Sequence, residues 1–345
     1  MFVIKLFRMI KFKIVRVALL LASLLFFMSC QTETPPSPTI PVTTLSQTIV
    51  SSTSIIPTIL PSVASAPSPL PGPNPFKLGT TEKDVTYGIA GNVSLKMDVY
   101  YPQTAAAALP VVMYVHGGGW TGGDKIAGAG ANEIPEMIKR GYLVVSVNYR
   151  LAPQYKFPAM IEDVKCAVRY LRAKASDYGL NPDKIGVWGG SAGGHLVALL
   201  GTADASAGFE GSSGYLDQSS RVQAVVDFFG PAELNTMFRG HQLDVMENVF
   251  GVTDSASLVL KAASPVTYIS RDDPPFLIIH GDKDTVVPFN QSQILYNRLI
   301  AAGVTATLIK VENAAHVFKP SGGVMSPTRA EITDAAADFF DKYLK

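Results

Sequence analysis

The sequence predicts an α/β fold, with a mainly parallel central sheet, helices on both faces and no large cap domain. Three observations lead there. Short apolar runs recur at 95–101, 111–115, 143–147, 185–188, 224–229, 276–279 and 306–311. Several lack the polar alternation of a half-exposed strand, which is the pattern of strands covered on both faces. Helix-patterned stretches lie between them, at 133–140, 158–174, 192–200, 291–302 and 329–344, and Gly141 and Gly303 supply stop signals after two of these. Finally, only about 40 residues separate Phe76 from His116 and they read as strands, while the main insertion, 232–273, is too short for a separate lid domain.

Ahead of this unit the composition changes twice. Residues 1–30 carry five basic side chains (Lys5, Arg8, Lys11, Lys13, Arg16) and no acid, followed by the uncharged run 17–28, Ser29 and Cys30. That run is short for a membrane span and right for the core of an export signal. The expectation is a signal peptide over 1–30 of the lipoprotein type, lipidated at Cys30, with Met1 or Met9 as the start and the mature protein at the cell surface or in the periplasm. Residues 31–75 hold 11 Pro, 16 Ser or Thr and a single charge, Glu33, and read as an extended linker. The third segment, 76–345, is the folded domain. Without the first 30 residues the chain has 24 basic against 28 acidic side chains, which gives no electrostatic footprint for nucleic acid. With two cysteines, Cys30 and Cys166, neither a disulfide framework nor a cysteine zinc site is expected. Cys166 reads as a small buried hydrophobe.

Three stretches carry chemistry, each after a strand-like run. Gly189-Gly190-Ser191-Ala192-Gly193 stands between the run 185–188 and a helix. A turn that tight pushes Ser191 out at its tip, and it is the strand–turn–helix setting of a nucleophile. His116-Gly117-Gly118-Gly119-Trp120 follows 111–115; glycines there let backbone N–H groups approach a developing oxyanion, with the N–H of Ala192 as a further donor. His280-Gly281-Asp282-Lys283-Asp284 follows 276–279, and either Asp282 or Asp284 is placed to orient a histidine. A calcium loop is a poor match, since no glutamate follows at the needed spacing. Of the five histidines, His116, His195, His241, His280 and His316, only His316 lies in a loop after the acid, as the order Ser, acid, His requires.

The chain resembles the α/β-hydrolases of the hormone-sensitive-lipase-like esterases. Within them it is most similar to the bifunctional feruloyl and acetylxylan esterases. The likeness rests on LKMDVYY at 95–101, HGGGWTGGDK at 116–125, VNYRLAPQYKFP at 147–158, Asp163, 189–194, VDFFGP at 226–231, Ser264-Pro265, 280–288 and His316, spread over nearly all of 80–345. The resemblance implies Asp284 as the acid, Gly118, Gly119 and Ala192 as oxyanion donors, and a structural bracing role for Asn148, Arg150 and Asp163. It implies carboxylic ester hydrolysis through an acyl-enzyme on Ser191, with no metal or cofactor. The ester would be a small molecule or linked to a polysaccharide. Membrane contact is expected only through the lipid at Cys30. Two other readings use the same residues: an amidase or peptidase, and a surface-anchored binding protein on an inactive hydrolase scaffold. The first, in its prolyl-oligopeptidase form, would need a β-propeller for which the chain has no room; the second usually lacks a triad member, and all three are present.

Overall fold

The computed structural model describes residues 72–345, apart from 106, 129 and 239–241. The leader, Cys30, residues 31–71 of the linker and His241 lie outside the described residues. Eight strands form one sheet: β1 (Thr81–Ala90), β2 (Val93–Tyr100), β3 (Leu109–Val115), β4 (Leu143–Val147), β5 (Leu180–Gly190), β6 (Ala224–Phe228), β7 (Phe276–Gly281) and β8 (Ala306–Val311). Their order is β1-β2-β4-β3-β5-β6-β7-β8. β1 and β2 run antiparallel at one edge, and the strands from β4 to β8 are parallel. The chain steps from β3 outward to β4 and returns past β3 to β5. Connections leaving the neighbours β3 and β5 therefore run in opposite directions, and the crevice between their carboxyl ends is where such sheets bind ligands.

The apolar runs are explained by two cores. Along β3, Val111, Met113 and Val115 enter one core, and Val112 and Tyr114 the other, so the strand alternates faces without alternating polarity. The first core receives α2 (Ala159–Ala173), α3 (Ala192–Thr202) and α4 (Asn290–Ala301), through residues such as Val164, Leu196 and Leu295. The second receives α1 (Ile134–Lys139) and α5 (Arg329–Leu344), through Met137, Ala336 and Phe340. α5 starts at a capping box between Thr328 and Glu331, which satisfies N–H groups that the first turn leaves open. Buried Cys166 sits in α2.

One strand differs from the sequence expectation, and the insertion, expected only to be too short for a lid domain, takes a defined form. β5 is longer than 185–188 and starts at Leu180, because Leu180 pairs with Leu109 ahead of the apolar stretch. The insertion 232–273 is a set of short helical turns, Leu234–Met237, Leu243–Val245, Met246–Phe250, Leu258–Ala262 and Pro265–Thr267. Phe238, Met246, Val249, Phe250 and Leu260 bury in the first core, which makes this segment part of the body of the fold.

Candidate active site

Four loops at the carboxyl ends of β3, β5, β7 and β8 meet over the crevice. The loop after β5 turns at once into α3, and Ser191 takes φ 58° and ψ −121° between them, a region that a side chain normally avoids. Neighbouring backbones leave no room for side chains on either side of it. A Cβ on Gly189 would lie 2.6 Å from the Gly193 carbonyl carbon and 2.7 Å from the Val115 oxygen, and one on Gly193 would collide with that same carbonyl. The Ser191 N–H donates to the Phe228 carbonyl at 2.9 Å, which fixes the turn to β6.

Ser191, His316 and Asp284 form one hydrogen-bonded chain. The Ser191 hydroxyl lies 3.0 Å from His316 Nε2, and His316 Nδ1 lies 2.7 Å from Asp284 Oδ2. Asp284 Oδ1 accepts from the N–H groups of Val286 and Val287 at 2.9 and 3.0 Å. Burial alone would push this carboxyl up. Hydrogen bonds from His280 and His316, the charge His316 can carry and the Val287 N–H more than offset it and hold the group well below the ordinary carboxylate range. Asp282 is turned elsewhere: its carboxylate pairs with Lys283 at 3.1 Å. The loop holding His316 is pressed onto the acid loop through Lys283 N–H to the Ala314 carbonyl, 2.9 Å. Beneath it, Phe229 meets the His316 ring at 4.9 Å and the Phe318 ring at 4.8 Å, both edge-on.

Gly118 and Gly119, with φ of 114° and 61°, follow Gly117 in the loop after β3, and a Cβ on Gly117 would lie 3.5 Å from that of Ser191. A Cβ on Gly118 would overlap the Gly122 carbonyl. Ala192 opens α3 directly after Ser191. Among the described residues, none accepts a hydrogen bond from the N–H of Gly118, Gly119 or Ala192. The loop is braced from outside. Asn148 accepts from Lys125 N–H at 2.6 Å and donates to Asp124 at 3.0 Å, and the buried Asp163 takes the Arg150 guanidinium at 2.8 Å.

Three histidines outside this chain have structural partners. His116 stacks on Tyr149 at 4.3 Å between ring centres. His280, missed by sequence reasoning as a partner of the acid, places Nε2 at 3.3 Å from Asp284 Oδ2 and 2.9 Å from the Val287 carbonyl, while Ser292 holds its Nδ1 at 2.7 Å. The only sequence signal was its spacing of four from Asp284. His195 is fully buried, bonded to the Ala263 carbonyl at 2.7 Å and to Trp120 Nε1 at 3.2 Å. Burial lowers its pKa to about 4. Also unforeseen is Asp227 at the end of β6. One carboxylate oxygen accepts from Gly230 N–H at 2.8 Å and the other has no partner, and burial pushes this acid up to about 6.

The profile of the BD-FAE family matches residues 97–299. Esterase LipQ of Mycobacterium tuberculosis is 33% identical over 283 residues, 78% of this chain and 64% of LipQ. The chain thus spans less than two thirds of that relative, and 56% and 53% of the next two curated relatives. Among solved structures, a truncated form of a carbohydrate esterase from gut microbiota superposes with a TM-score of 0.68 at 32% identity, covering 79% of this chain and 98% of the other. The butyrate-bound esterase Est2 of Thermogutta terrifontis gives 0.62 at 26% identity, covering 75% and 92%.

Proposed function

The chain belongs to the BD-FAE family and has the α/β-hydrolase fold, and from that premise we propose that it is a serine carboxylesterase acting through Ser191, His316 and Asp284. The observation that carries the reading is the unbroken chain from the Ser191 hydroxyl through both His316 nitrogens to Asp284, at 3.0 and 2.7 Å, with the serine at a strained turn. Ser191 Oγ bonds to the ester carbonyl carbon as its proton passes to His316 Nε2. Asp284 keeps the other proton on Nδ1 and favours the charged imidazolium. The carbonyl oxygen, now an oxyanion, takes the N–H groups of Gly118, Gly119 and Ala192; losing one such donor typically costs about 10²–10³ in rate. The carbon–oxygen bond to the alcohol then breaks, His316 returns its proton to the leaving alkoxide, and a water repeats the cycle on the acyl-enzyme. Ser191→Ala should leave less than about 1% of wild-type ester hydrolysis and abolish labelling by a fluorophosphonate. A labelled, active alanine variant would overturn the assignment.

The acyl group we propose is short or a compact aromatic acid, carried on a carbohydrate alcohol. Support comes from the carbohydrate-esterase and butyrate-bound neighbours and from an insertion whose aromatic and several aliphatic side chains, Phe238, Phe250, Met246, Val249 and Leu260, are spent on the core, while Leu243, Leu258 and Val259 stay exposed. Lipid anchoring at Cys30 is proposed from the basic leader, the uncharged run 17–28 and the Pro-rich segment after it. Cys30→Ser should move the protein out of the membrane fraction or stall its maturation, and unchanged fractionation would remove the proposal.

A further inference from the structure

The three donor N–H groups sit on two separate elements. Gly118 and Gly119 belong to the loop after β3, whereas Ala192 begins α3 after β5. An oxyanion gains from them only if they converge on one point, so the gap between loop and helix must be held closely. A pair of buried side chains spans it. Trp120, the residue after Gly119, has φ 61°, a left-handed backbone that is an outlier for a bulky side chain and calls for something that over-determines it. Its indole is 5% exposed. Nε1–H donates to His195 Nδ1 at 3.2 Å, and the indole meets the His195 ring edge-on at 5.3 Å and Phe250 at 5.5 Å. Its carbonyl accepts from Ala152 N–H at 2.9 Å.

At the other end, His195 is one helical turn beyond Ser191, and its own N–H donates to the Ser191 carbonyl at 2.9 Å. The imidazole has one job at each nitrogen. Nδ1 accepts from the indole, so the proton must sit on Nε2, where it donates to the Ala263 carbonyl at 2.7 Å. Burial disfavours the second proton that would break the contact with Trp120. The ring is thereby locked by the insertion on one side while it holds the glycine loop on the other.

We propose that Trp120 and His195 form a positioning clamp that sets the distance between the Gly118–Gly119 donors and the Ala192 donor, and so governs oxyanion stabilisation without touching the substrate. The proposal rests on the ester-hydrolase reading of the site.

The test uses the full chain with Trp120→Phe, which keeps an aromatic ring but removes the indole N–H donor together with one ring of the fused system. His195→Phe removes both hydrogen bonds, and His195→Gln retains an acceptor and a donor. Each is assayed on p-nitrophenyl acetate and against a trifluoromethyl ketone, which forms a tetrahedral adduct on the serine. Trp120→Phe should lower kcat about 10- to 100-fold, with KM changed less than about threefold. The inhibition constant of the ketone should rise by the same factor as kcat falls, because both read the same oxyanion. His195→Phe should lose at least as much, and His195→Gln should recover part of it. Trp120→Phe with kcat and ketone affinity within about twofold of wild type overturns the clamp, as does a loss confined to KM. A readout on the intact wild type guards against variants that fail to fold: ¹⁵N NMR should find His195 protonated at Nε2 alone, and a proton on Nδ1 overturns the proposal. Wild-type protein that a fluorophosphonate leaves unlabelled sinks the ester-hydrolase reading and the clamp with it. Labelled wild type with unaltered Trp120→Phe kinetics sinks the clamp alone.

Discussion

Replacing Asp284 by Asn should disable the enzyme, while the same change at Asp282, two residues earlier, should be nearly silent. Asp284 is surrounded by donors. Oδ1 takes the N–H groups of Val286 and Val287, while Oδ2 takes His316 at 2.7 Å and lies 3.3 Å from His280 Nε2. An amide has one acceptor and one donor end, so it must turn its NH₂ toward one of these sets. Turned toward His316, it forces Nδ1 to accept, which moves the ring proton to Nε2, where it points at Ser191 Oγ and leaves no lone pair for the serine proton. Turned the other way, it sets N–H against N–H in the acid loop. Where this substitution has been made in a serine protease triad it costs about 10⁴ in kcat, which is ~5.4 kcal/mol of barrier. Asp282 pairs with the partly solvated Lys283 at 3.1 Å and with backbone at Asn313 and Ala314, contacts that do not reach the His316 ring; the ion pair is worth little, and the Asn variant should stay within about fivefold of wild type. The assay is kcat on p-nitrophenyl acetate at mildly alkaline pH, with thermal melts to show that both variants fold and Ser191→Ala as background. Asp284→Asn retaining more than about a tenth of wild-type kcat would refute the reasoning. So would Asp282→Asn being the weaker enzyme.

Two further expectations concern the buried acid and the acyl site. The folded-state pKa of Asp227, about 6, lies above the ordinary value of about 3.9. Its contribution is therefore fully present below about pH 4 and lost as pH rises through 6, so Asp227→Asn should gain stability relative to wild type across that window by up to ~3 kcal/mol. Urea midpoints at several pH values check it, and parallel curves for the two proteins would contradict it. On p-nitrophenyl esters, kcat/KM should stop rising once the chain outgrows the pocket, near butyrate, because each methylene contributes ~0.8 kcal/mol only while it leaves water. A steady climb to decanoate or beyond would reopen a lipase reading.

Much of the fold was legible because the apolar runs are long-range facts written locally: a strand covered on both faces has to be apolar throughout, and the helix 329–344 coincides with α5. β5 was read short because Asn181, Pro182, Asp183 and Lys184 precede its apolar part, and pairing through Leu109 and Leu180 outweighs their local preference. At the site, Ser191 and the glycine loop announce themselves through backbone needs that only particular residues meet. The choice between Asp282 and Asp284 is of another kind. Both follow the same strand, and what separates them is the direction in which a tight loop aims each carboxylate, which no spacing rule encodes. His280 and Asp227 were opaque for the same reason, since loop direction aims them at nearby partners, Asp284, Val287 and Ser292 for one and Gly230 N–H for the other, whereas His195 was opaque because Trp120 and Ala263 lie after another strand and in the insertion.

The distribution of backbone strain shows what the large sheet is for. Among the described residues, nine non-glycine positions have positive φ; Asn313, a residue type that takes this region readily, and five others, Trp120, Ser191, Phe229, Val317 and Phe318, belong to the loops of the site. At ~1–3 kcal/mol each, those five together rival the ~5–15 kcal/mol that separates a typical domain from its unfolded chain. Loops holding that much strain would relax if their ends could move. Their ends are β3, β5, β6 and the β8 connection, four places in one sheet with cores on both faces. The rings of Phe229 and Phe318 pack on each other at 4.8 Å, so relaxing one backbone exposes or displaces the side chain of the other. The unstrained conformations are thus excluded by packing, and the cost appears as lower global stability while the position of Ser191 against His316 stays fixed.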